Sequence, residues 1–197
     1  MSRLLPCIKC LPLLLVLAFA ACGTVGHPIV GIDNFDQVSP ELFRGAQPSA
    51  QGIRTLAAMH VQTVINLRDD DDPREAAELR AAGMTYVHIP LDAETVTPAD
   101  ADRVLATLTE AKGPVFVHCL VGRDRTGMAV AAYRMNVQGW TQQAAVKDLY
   151  DHGHFWIWFP KVREAIAHLA EKPIADSQVV SAEAGGAVAR AVRAAAN

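Results

Sequence analysis

Cysteine is scarce in this sequence of 197 residues: there are four, and three of them lie within the first 22 residues. We interpret Cys7 and Cys10 as incidental parts of a cleaved leader, and Cys22 lies where that leader should end. Cys119 is then the only free thiol of the mature chain, which excludes a disulfide framework. A lone thiol in an oxidising compartment is vulnerable to oxidation, so its sequence context needs a chemical explanation.

Long apolar runs are also missing. The run at residues 11–21 is eleven residues long, whereas about 20 are needed to span a bilayer. Two basic residues precede it and small residues follow it, which is the order of a secretory signal. Pro6 and Pro12 count against the alternative, a buried N-terminal helix. We therefore predict a signal peptide over residues 1–21 and a protein exported to the periplasm of a bacterium.

Two cleavage reactions fit the end of this leader. Ala20-Ala21-Cys22 resembles a bacterial lipobox, in which Cys22 becomes the lipidated first residue of a membrane-anchored lipoprotein. Ala18-Phe19-Ala20 fits ordinary signal peptidase, which would release a soluble product. Both remain open, and the first predicts a contact with the membrane through an N-terminal lipid anchor.

An excess of charge of either sign is absent as well. The 18 Lys and Arg residues against 21 Asp and Glu residues give a formal net charge of −3. That balance gives no indication of a nucleic-acid partner, and we predict none; any anion site must be local. A divalent-ion site is the less favoured alternative for the acidic run at residues 69–72, and the pair His152 and His154 lacks further ligands at suitable spacing for a metal. We interpret them as a solvated turn and a helix end, and predict neither a metal nor a cofactor.

The chain divides by composition into three parts after the leader. Residues 22–40 are predicted to be a linker and lead-in, residues 41–172 one domain, and residues 173–197 a flexible tail rich in Ala and Gly. Within the domain, strands and helices alternate, which predicts an α/β fold with a central, mainly parallel sheet of four to five strands flanked by helices. The strands are predicted at 41–44, 61–67, 86–90 and 115–118, and helices are predicted to begin near Ser49, Asp72, Thr97, Thr126, Thr141 and Pro160.

The most informative stretch is HCLVGRDRTG at residues 118–127, which lies between an apolar strand and a helix that opens near Thr126. Its backbone N–H groups can point inwards as a nest for an anion, and the positive end of the helix adds to the field. Arg125 can close the ring and bind two phosphate oxygens with its planar fork. Cys119 then lies at the floor of a positive bowl that favours the nucleophilic thiolate. The predicted phosphate-binding residues are Leu120, Val121, Gly122, Arg123, Asp124 and Arg125.

The pattern H-C-x5-R-[ST]-G resembles the protein tyrosine phosphatase superfamily. Segments 42–48, 63–68 and 88–91 recur in that order in compact bacterial and fungal dual-specificity phosphatases, and Gln138-Gly139-Trp140 resembles the exported bacterial members. The resemblance implies the cysteine-phosphatase fold, with the P-loop between a strand and a buried helix. It also implies that Cys119 is the nucleophile that forms phosphocysteine and that Arg125 clamps the phosphate. No metal is implied.

Catalysis in this family also needs a general acid for the leaving oxygen. Family members supply it from the loop after the strand that precedes the P-loop strand. Asp92, which lies 27 residues before Cys119, is the favoured candidate, Glu94 is the first alternative, and a residue elsewhere in the chain is the second. Supporting roles are predicted for His118, which can fix the loop by bonding to its backbone, and for Thr126, whose hydroxyl can assist departure of the thiolate.

Several residues bear on the choice of substrate. The pattern Gly-x-Asp-Arg-Thr resembles the P-loops of phosphatases that accept phosphoinositides, although Asp124 can simply brace the next helix. Arg44, Arg68 and Arg123 could supply a positive rim for an inositol headgroup, or they form surface salt bridges. The aromatic segment 155–159 is predicted to anchor the last helix in the core, the alternative being a contact with a membrane or a peptide.

These features predict a metal-independent, cysteine-dependent phosphatase that acts as a monomer on phosphotyrosine and phosphoserine or phosphothreonine in proteins. The alternative substrate is a phosphoinositide or an inositol phosphate. A pseudophosphatase that binds phosphate without turnover is a further alternative, and the intact Cys119 and Arg125 count against it. Sulfur transfer of the rhodanese type fits less well, because its loop usually lacks the closing Arg-Thr at this spacing.

Overall fold

The structure is a computed structural model that describes residues 27–155 and 157–171. The predicted signal peptide, the lipidation site Cys22 and the predicted tail at 173–197 lie outside the described residues. No helix within the described part of the chain is long and apolar enough to cross a membrane.

The core of the fold is a six-stranded sheet in the order β1-β2-β3-β6-β4-β5. The four strands β3, β6, β4 and β5 are parallel, and β1 and β2 extend the sheet in antiparallel fashion. The strands are β1 (His27–Ile29), β2 (Ile32–Ser39), β3 (Leu42–Gly45), β4 (Thr63–Asn66), β5 (Thr85–His88) and β6 (Val115–His118).

Six helices flank the sheet, and polar caps begin four of them. Ser49, Asp72, Thr97 and Thr141 each accept a hydrogen bond from a backbone N–H of the first helical turn, as their sequence positions predict. The helices are α1 (Ala50–Ala58), α2 (Pro73–Ala81), α3 (Pro98–Glu110), α4 (Asp124–Asn136), α5 (Gln142–Asp151) and α6 (Pro160–Ala170).

Helices cover both faces of the sheet. Val64 and Phe116 pack with residues of α1 and α2 in one apolar cluster, whereas Ile65 and Val117 pack with α3, α4 and α6 in the other. Successive residues of one strand therefore serve opposite layers, as the pleat of a strand requires. The predicted α/β fold with a mainly parallel sheet between helices is confirmed.

The N-terminal part of the sheet differs from the prediction. Residues 27–39, which were expected to belong to a linker and lead-in, form β1 and β2, so the sheet has six strands rather than four to five. Most of β2 is only partly buried and its sequence is polar, IDNFDQVS. β2 lies between the edge strand β1 and β3. A strand of this kind is held by backbone pairing on both sides more than by apolar burial, so its hydrophobic pattern is weak.

Candidate active site

The site lies where the parallel strands end. In the sheet register, His118 at the end of β6 is paired with Gly45 of β3 and with Asn66 of β4. Cys119 is the next residue and is a buried free thiol, only 3% exposed. The carboxyl ends of three strands thus surround the predicted nucleophile, at the edge where α/β sheets bind ligands.

The loop after Cys119 turns its carbonyl oxygens outwards. The carbonyl of Leu120 accepts from the N–H of Gln47 at 3.3 Å, and that of Gly122 accepts from the side-chain amide of Asn34 at 2.9 Å. Among the described residues, no hydrogen bond uses the backbone N–H groups of residues 120–125. These N–H groups are left to face the bowl, which is the arrangement of an anion nest.

Gly122 is required at the top of this loop. Its φ is +74°, and a Cβ there would lie 2.5 Å from the carbonyl carbon of Gly45 and 2.6 Å from the nitrogen of Ala46. Any side chain would therefore collide with β3 backbone as well as strain the turn. The absence of a side chain at Gly122 thus lets the loop pack directly on the backbone at the end of β3.

Arg44 is one of the groups that fix it, and the prediction of a rim position for Arg44 is wrong. The side chain is fully buried and donates from Nη2 to the carbonyl of Gly122 at 2.7 Å. Burial lowers the pKa of this guanidinium to about 10, while the carboxylate of Asp148, 3.7 Å from Nη1, acts in the opposite direction. Arg44 therefore supports the P-loop from beneath and cannot reach a substrate headgroup.

Arg125 is held at the mouth of the bowl by its Nη1 atom. Nη1 donates to Asp69 at 2.7 Å and to the carbonyl of Leu91 at 2.8 Å. No partner of Nε or Nη2 is found among the described residues, so these two N–H groups can form the predicted fork on a phosphate. The hydrogen bond from Arg125 is also the main reason that the pKa of Asp69 is lowered.

The two candidates for the general acid lie together in a turn after β5. The carboxylate of Asp92 accepts from the backbone N–H of Glu94 at 2.9 Å, and both side chains are exposed. Ala93 between them lines the cavity above Cys119. The turn is therefore close to the site, and the choice between Asp92 and Glu94 stays a prediction.

A cavity of about 200 Å³ opens above Cys119. Its walls include Leu120, Val121, Phe155 and Trp158, and Trp158 is 66% exposed. The prediction that the whole aromatic segment anchors α6 in the core is thus wrong for Phe155 and Trp158. Among the residues of this segment that the structure describes, Phe159 alone packs against the core cluster. The exposed aromatic side chains instead give the cavity an apolar wall.

The other predicted rim and loop residues have local partners. Arg68 pairs with Asp70 and Gln47, so its charge is neutralised within the loop after β4. Asp124 lies 2.6 Å from Nδ1 of the buried His154, which links the start of α4 to the turn after α5. This confirms a bracing contact for Asp124. Arg123 alone of the three predicted rim arginines is exposed and lines the cavity.

Both predicted supporting residues are close to the loop interior. Nδ1 of His118 lies 3.2 Å from the carbonyl oxygen of Cys119, the kind of backbone contact that the sequence predicts. The Thr126 hydroxyl is buried and has no hydrogen-bond partner among the described residues. It is therefore available for the predicted interaction with the thiolate.

Three residues of the site were missed from the sequence. Asp69 binds the clamp, Glu75 lies beside His118, and His154 binds Asp124. Asp69 belongs to a visible acidic run, and its place in the loop after β4 was the available signal. The partners of Glu75 and His154 depend on packing between distant elements, for which the local sequence carries no signal.

Comparison with known proteins agrees with this geometry. The model of the family described as DSP-PTPase phosphatase fused to NAD+ kinase matches residues 30–156. The dual specificity protein phosphatase TpbA of Pseudomonas aeruginosa PAO1 is 40% identical over 124 residues, which are 62% of this chain and 55% of the relative. The chain thus spans about half the length of this curated relative.

Two solved structures are similar as well. The crystal structure of P. aeruginosa TpbA is 34% identical with a TM-score of 0.59, and the match covers 76% of this chain and 91% of that one. A Cys-to-Ser variant of TpbA in complex with pTyr is 32% identical with the same TM-score, over 76% of this chain and 90% of that one.

The sheet, the inward-facing P-loop and the cysteine at its floor define a domain of the protein tyrosine phosphatase superfamily. Because the family model covers more than half of the sequence, the chain belongs to the family of DSP-PTPase phosphatases fused to NAD+ kinase. The match falls on the strands and helices that build the P-loop.

Proposed function

We propose that the chain is a cysteine-dependent phosphatase that hydrolyses phosphomonoesters without a metal. The observation that carries this proposal is the P-loop itself. Its carbonyl groups are bonded outwards, its N–H groups are free, and a buried cysteine lies at its floor. The same arrangement is needed to bind the phosphoryl group and to attack it.

The reaction proceeds in two displacements. The Cys119 thiolate attacks phosphorus, so that an S–P bond forms while the P–O bond to the leaving group breaks, and the acid in the loop after β5 protonates the leaving oxygen. Water then attacks the phosphocysteine and gives a proton to the carboxylate left by the first step, the S–P bond breaks, and inorganic phosphate and the thiolate are released. Throughout, Arg125 and the loop N–H groups bind the equatorial oxygens, on which negative charge is concentrated.

Protein phosphotyrosine is the substrate that the cavity favours, with phosphoserine and phosphothreonine also accepted. Phe155 and Trp158 supply an apolar wall against which an aromatic ring can pack. The similar TpbA variant was crystallised in complex with pTyr. A phosphorylated protein is therefore the proposed partner of this site.

The contacts of the site count against a phosphoinositide or inositol phosphate. A multiply charged headgroup needs several free cations at the rim. Arg44 is buried beneath the loop and Arg68 is paired with Asp70. Of the predicted rim arginines only Arg123 remains exposed at the cavity.

The test is phosphate release by the full chain, expressed in a bacterium and purified as processed, under reducing conditions with chelator. A phosphotyrosine peptide, a phosphothreonine peptide and a soluble phosphoinositide are compared. We expect the phosphotyrosine peptide to have the highest kcat/KM. Preferential hydrolysis of the phosphoinositide would replace the proposed substrate class, and no release from any of the three would contradict phosphatase activity.

We predict that Asp92→Asn lowers kcat about a hundredfold for alkyl phosphates. The effect should be much smaller for p-nitrophenyl phosphate, because its leaving group departs readily without a proton. Glu94→Gln is the matched control, since Glu94 lies in the same turn and is also exposed. If Glu94→Gln shows the leaving-group dependence and Asp92→Asn does not, Glu94 is the acid.

For location, we propose an exported, periplasmic protein that is anchored as a lipoprotein through Cys22, with a monomeric phosphatase domain. The support is the order of basic, apolar and small residues before Cys22. The intact mass of the mature chain distinguishes a diacylated N-terminal cysteine from an unmodified product of signal peptidase. An unprocessed chain in the cytoplasmic fraction would contradict export.

A further inference from the structure

A buried pair of ionisable side chains lies directly behind the predicted nucleophile. Nε2 of His118 is 3.2 Å from Oε1 of Glu75. His118 is fully buried and Glu75 is 4% exposed. Neither of these two atoms has a hydrogen-bond partner elsewhere in the described part of the chain. Each atom can therefore be satisfied only by the other.

Both ring nitrogens of His118 face oxygen atoms. Nδ1 lies 3.2 Å from the carbonyl oxygen of Cys119, and Nε2 faces the carboxyl group of Glu75. A carbonyl oxygen can only accept, so Nδ1 must carry a proton. If Glu75 is ionised, Nε2 must also carry one, and the ring is an imidazolium. The remaining arrangement would place the second proton on Glu75 instead.

Hydrogen-bond donors also face the second oxygen of Glu75. Its second oxygen, Oε2, faces the side-chain N–H groups of Asn66 at 3.4 Å and of Gln47 at 3.5 Å. Hydrogen-bond donors directed at a carboxyl group stabilise its charged state. The Phe116 ring stacks on His118 with centroids 5.6 Å apart, which closes the pair off from water.

Other ionisable groups packed round the pair come from three elements. Tyr86 on β5 bonds to Asn66 and to Asp71, and Arg68 in the loop after β4 reaches Gln47. Arg44 of β3 lies beneath the loop and interacts electrostatically with Cys119. None of them forms a hydrogen bond with Oε1 of Glu75 or Nε2 of His118.

We infer that Glu75 is a positioning residue, whose carboxylate keeps His118 protonated so that the imidazolium holds the Cys119 carbonyl and stabilises the Cys119 thiolate. The inference deepens the proposed function and rests on it for its consequence in catalysis. The protonation of the Glu75–His118 pair can be measured whether or not the protein turns over a substrate. Glu75 does not touch the substrate and acts only through His118.

The first experiment titrates the thiolate in wild-type protein and in Glu75→Gln, which keeps the shape of the side chain but removes its charge. Iodoacetamide alkylation is followed by mass spectrometry on the tryptic peptide 113–123, which reports Cys119 alone in the full chain. We expect the midpoint of alkylation against pH to rise by about one pH unit in Glu75→Gln. At a pH below both midpoints, alkylation should slow about tenfold, and at high pH the two rates should converge.

Glu78→Gln is the matched control, because Glu78 lies one turn further along α2 and is exposed. Its midpoint should equal that of the wild type. Glu75→Asp should restore part of the shift, since the charge returns at a greater distance. An unchanged midpoint in folded Glu75→Gln would overturn the proposal.

A second measurement needs no variant at the pair to fold. The ¹⁵N chemical shifts of the His118 ring in wild-type protein, assigned through nuclear Overhauser contacts to the Phe116 ring that stacks on it, should show both nitrogens protonated at neutral pH. If the ring carries only one proton, the second proton lies on Glu75 or is absent from the pair. Either result would overturn the proposal. Failure of the proposed function is distinguishable, because it would appear as absent turnover with the midpoint shift and the ¹⁵N result intact.

Discussion

Cys119→Ser abolishes phosphate release, with an expected loss in kcat of roughly a thousandfold or more. A serine hydroxyl at the same position is protonated at neutral pH and is a far weaker nucleophile than a thiolate. The loop N–H groups and Arg125 are untouched by this change, so binding of inorganic phosphate or vanadate should persist. Release of phosphate from a phosphotyrosine peptide measures the first effect, and calorimetry with vanadate measures the second.

The two readouts together separate the alternatives. Residual turnover in Cys119→Ser close to that of the wild type would remove Cys119 as the nucleophile. Anion binding without turnover in the wild type itself would identify a pseudophosphatase. Loss of both anion binding and turnover in the variant, with an unchanged melting temperature, would mean that the thiolate is needed to shape the nest, contrary to the outward bonding of the loop carbonyl groups.

The P-loop is the part of the site that the sequence predicts well, because its determinants are local. A strand, a glycine at a positive φ and a helix start lie within about a dozen consecutive residues, and the structure has each of them in place. Even here one detail differs: α4 begins at Asp124 rather than near Thr126. Its N-cap residue makes no side-chain cap, which leaves the first N–H groups free for an anion.

The contacts that support the loop could not be predicted, because they join elements far apart in the sequence. Arg44 reads as a surface cation, yet its parallel pairing beside β6 places it beneath Gly122. Glu75 lies in a helix whose polar character suggests exposure, yet it faces His118 across the end of β4. Conversely, Phe155 and Trp158 read as core residues but line the cavity.

Arg125→Lys should lower kcat about a hundredfold or more, the effect of removing a transition-state hydrogen-bond donor. In the structure, Nη1 already serves Asp69 and the Leu91 carbonyl, and the other two donor sites remain for the phosphate. A lysine ammonium is a single point charge and cannot satisfy both sets of partners in one plane. The steady-state rate with p-nitrophenyl phosphate is the measurement, because that substrate makes little demand on the general acid.

The size of this effect also tests how the clamp is built. Arg103→Lys, an exposed exchange on α3 that pairs with Asp100, should leave kcat unchanged. Asp69→Asn can still accept from Nη1, and it should lose far less activity than Arg125→Lys if the contact mainly orients the guanidinium. If Asp69→Asn instead raises kcat/KM, the carboxylate competes with the substrate for Arg125. An Arg125→Lys variant within threefold of the wild type would show that positive charge alone is sufficient and that the planar fork is not required.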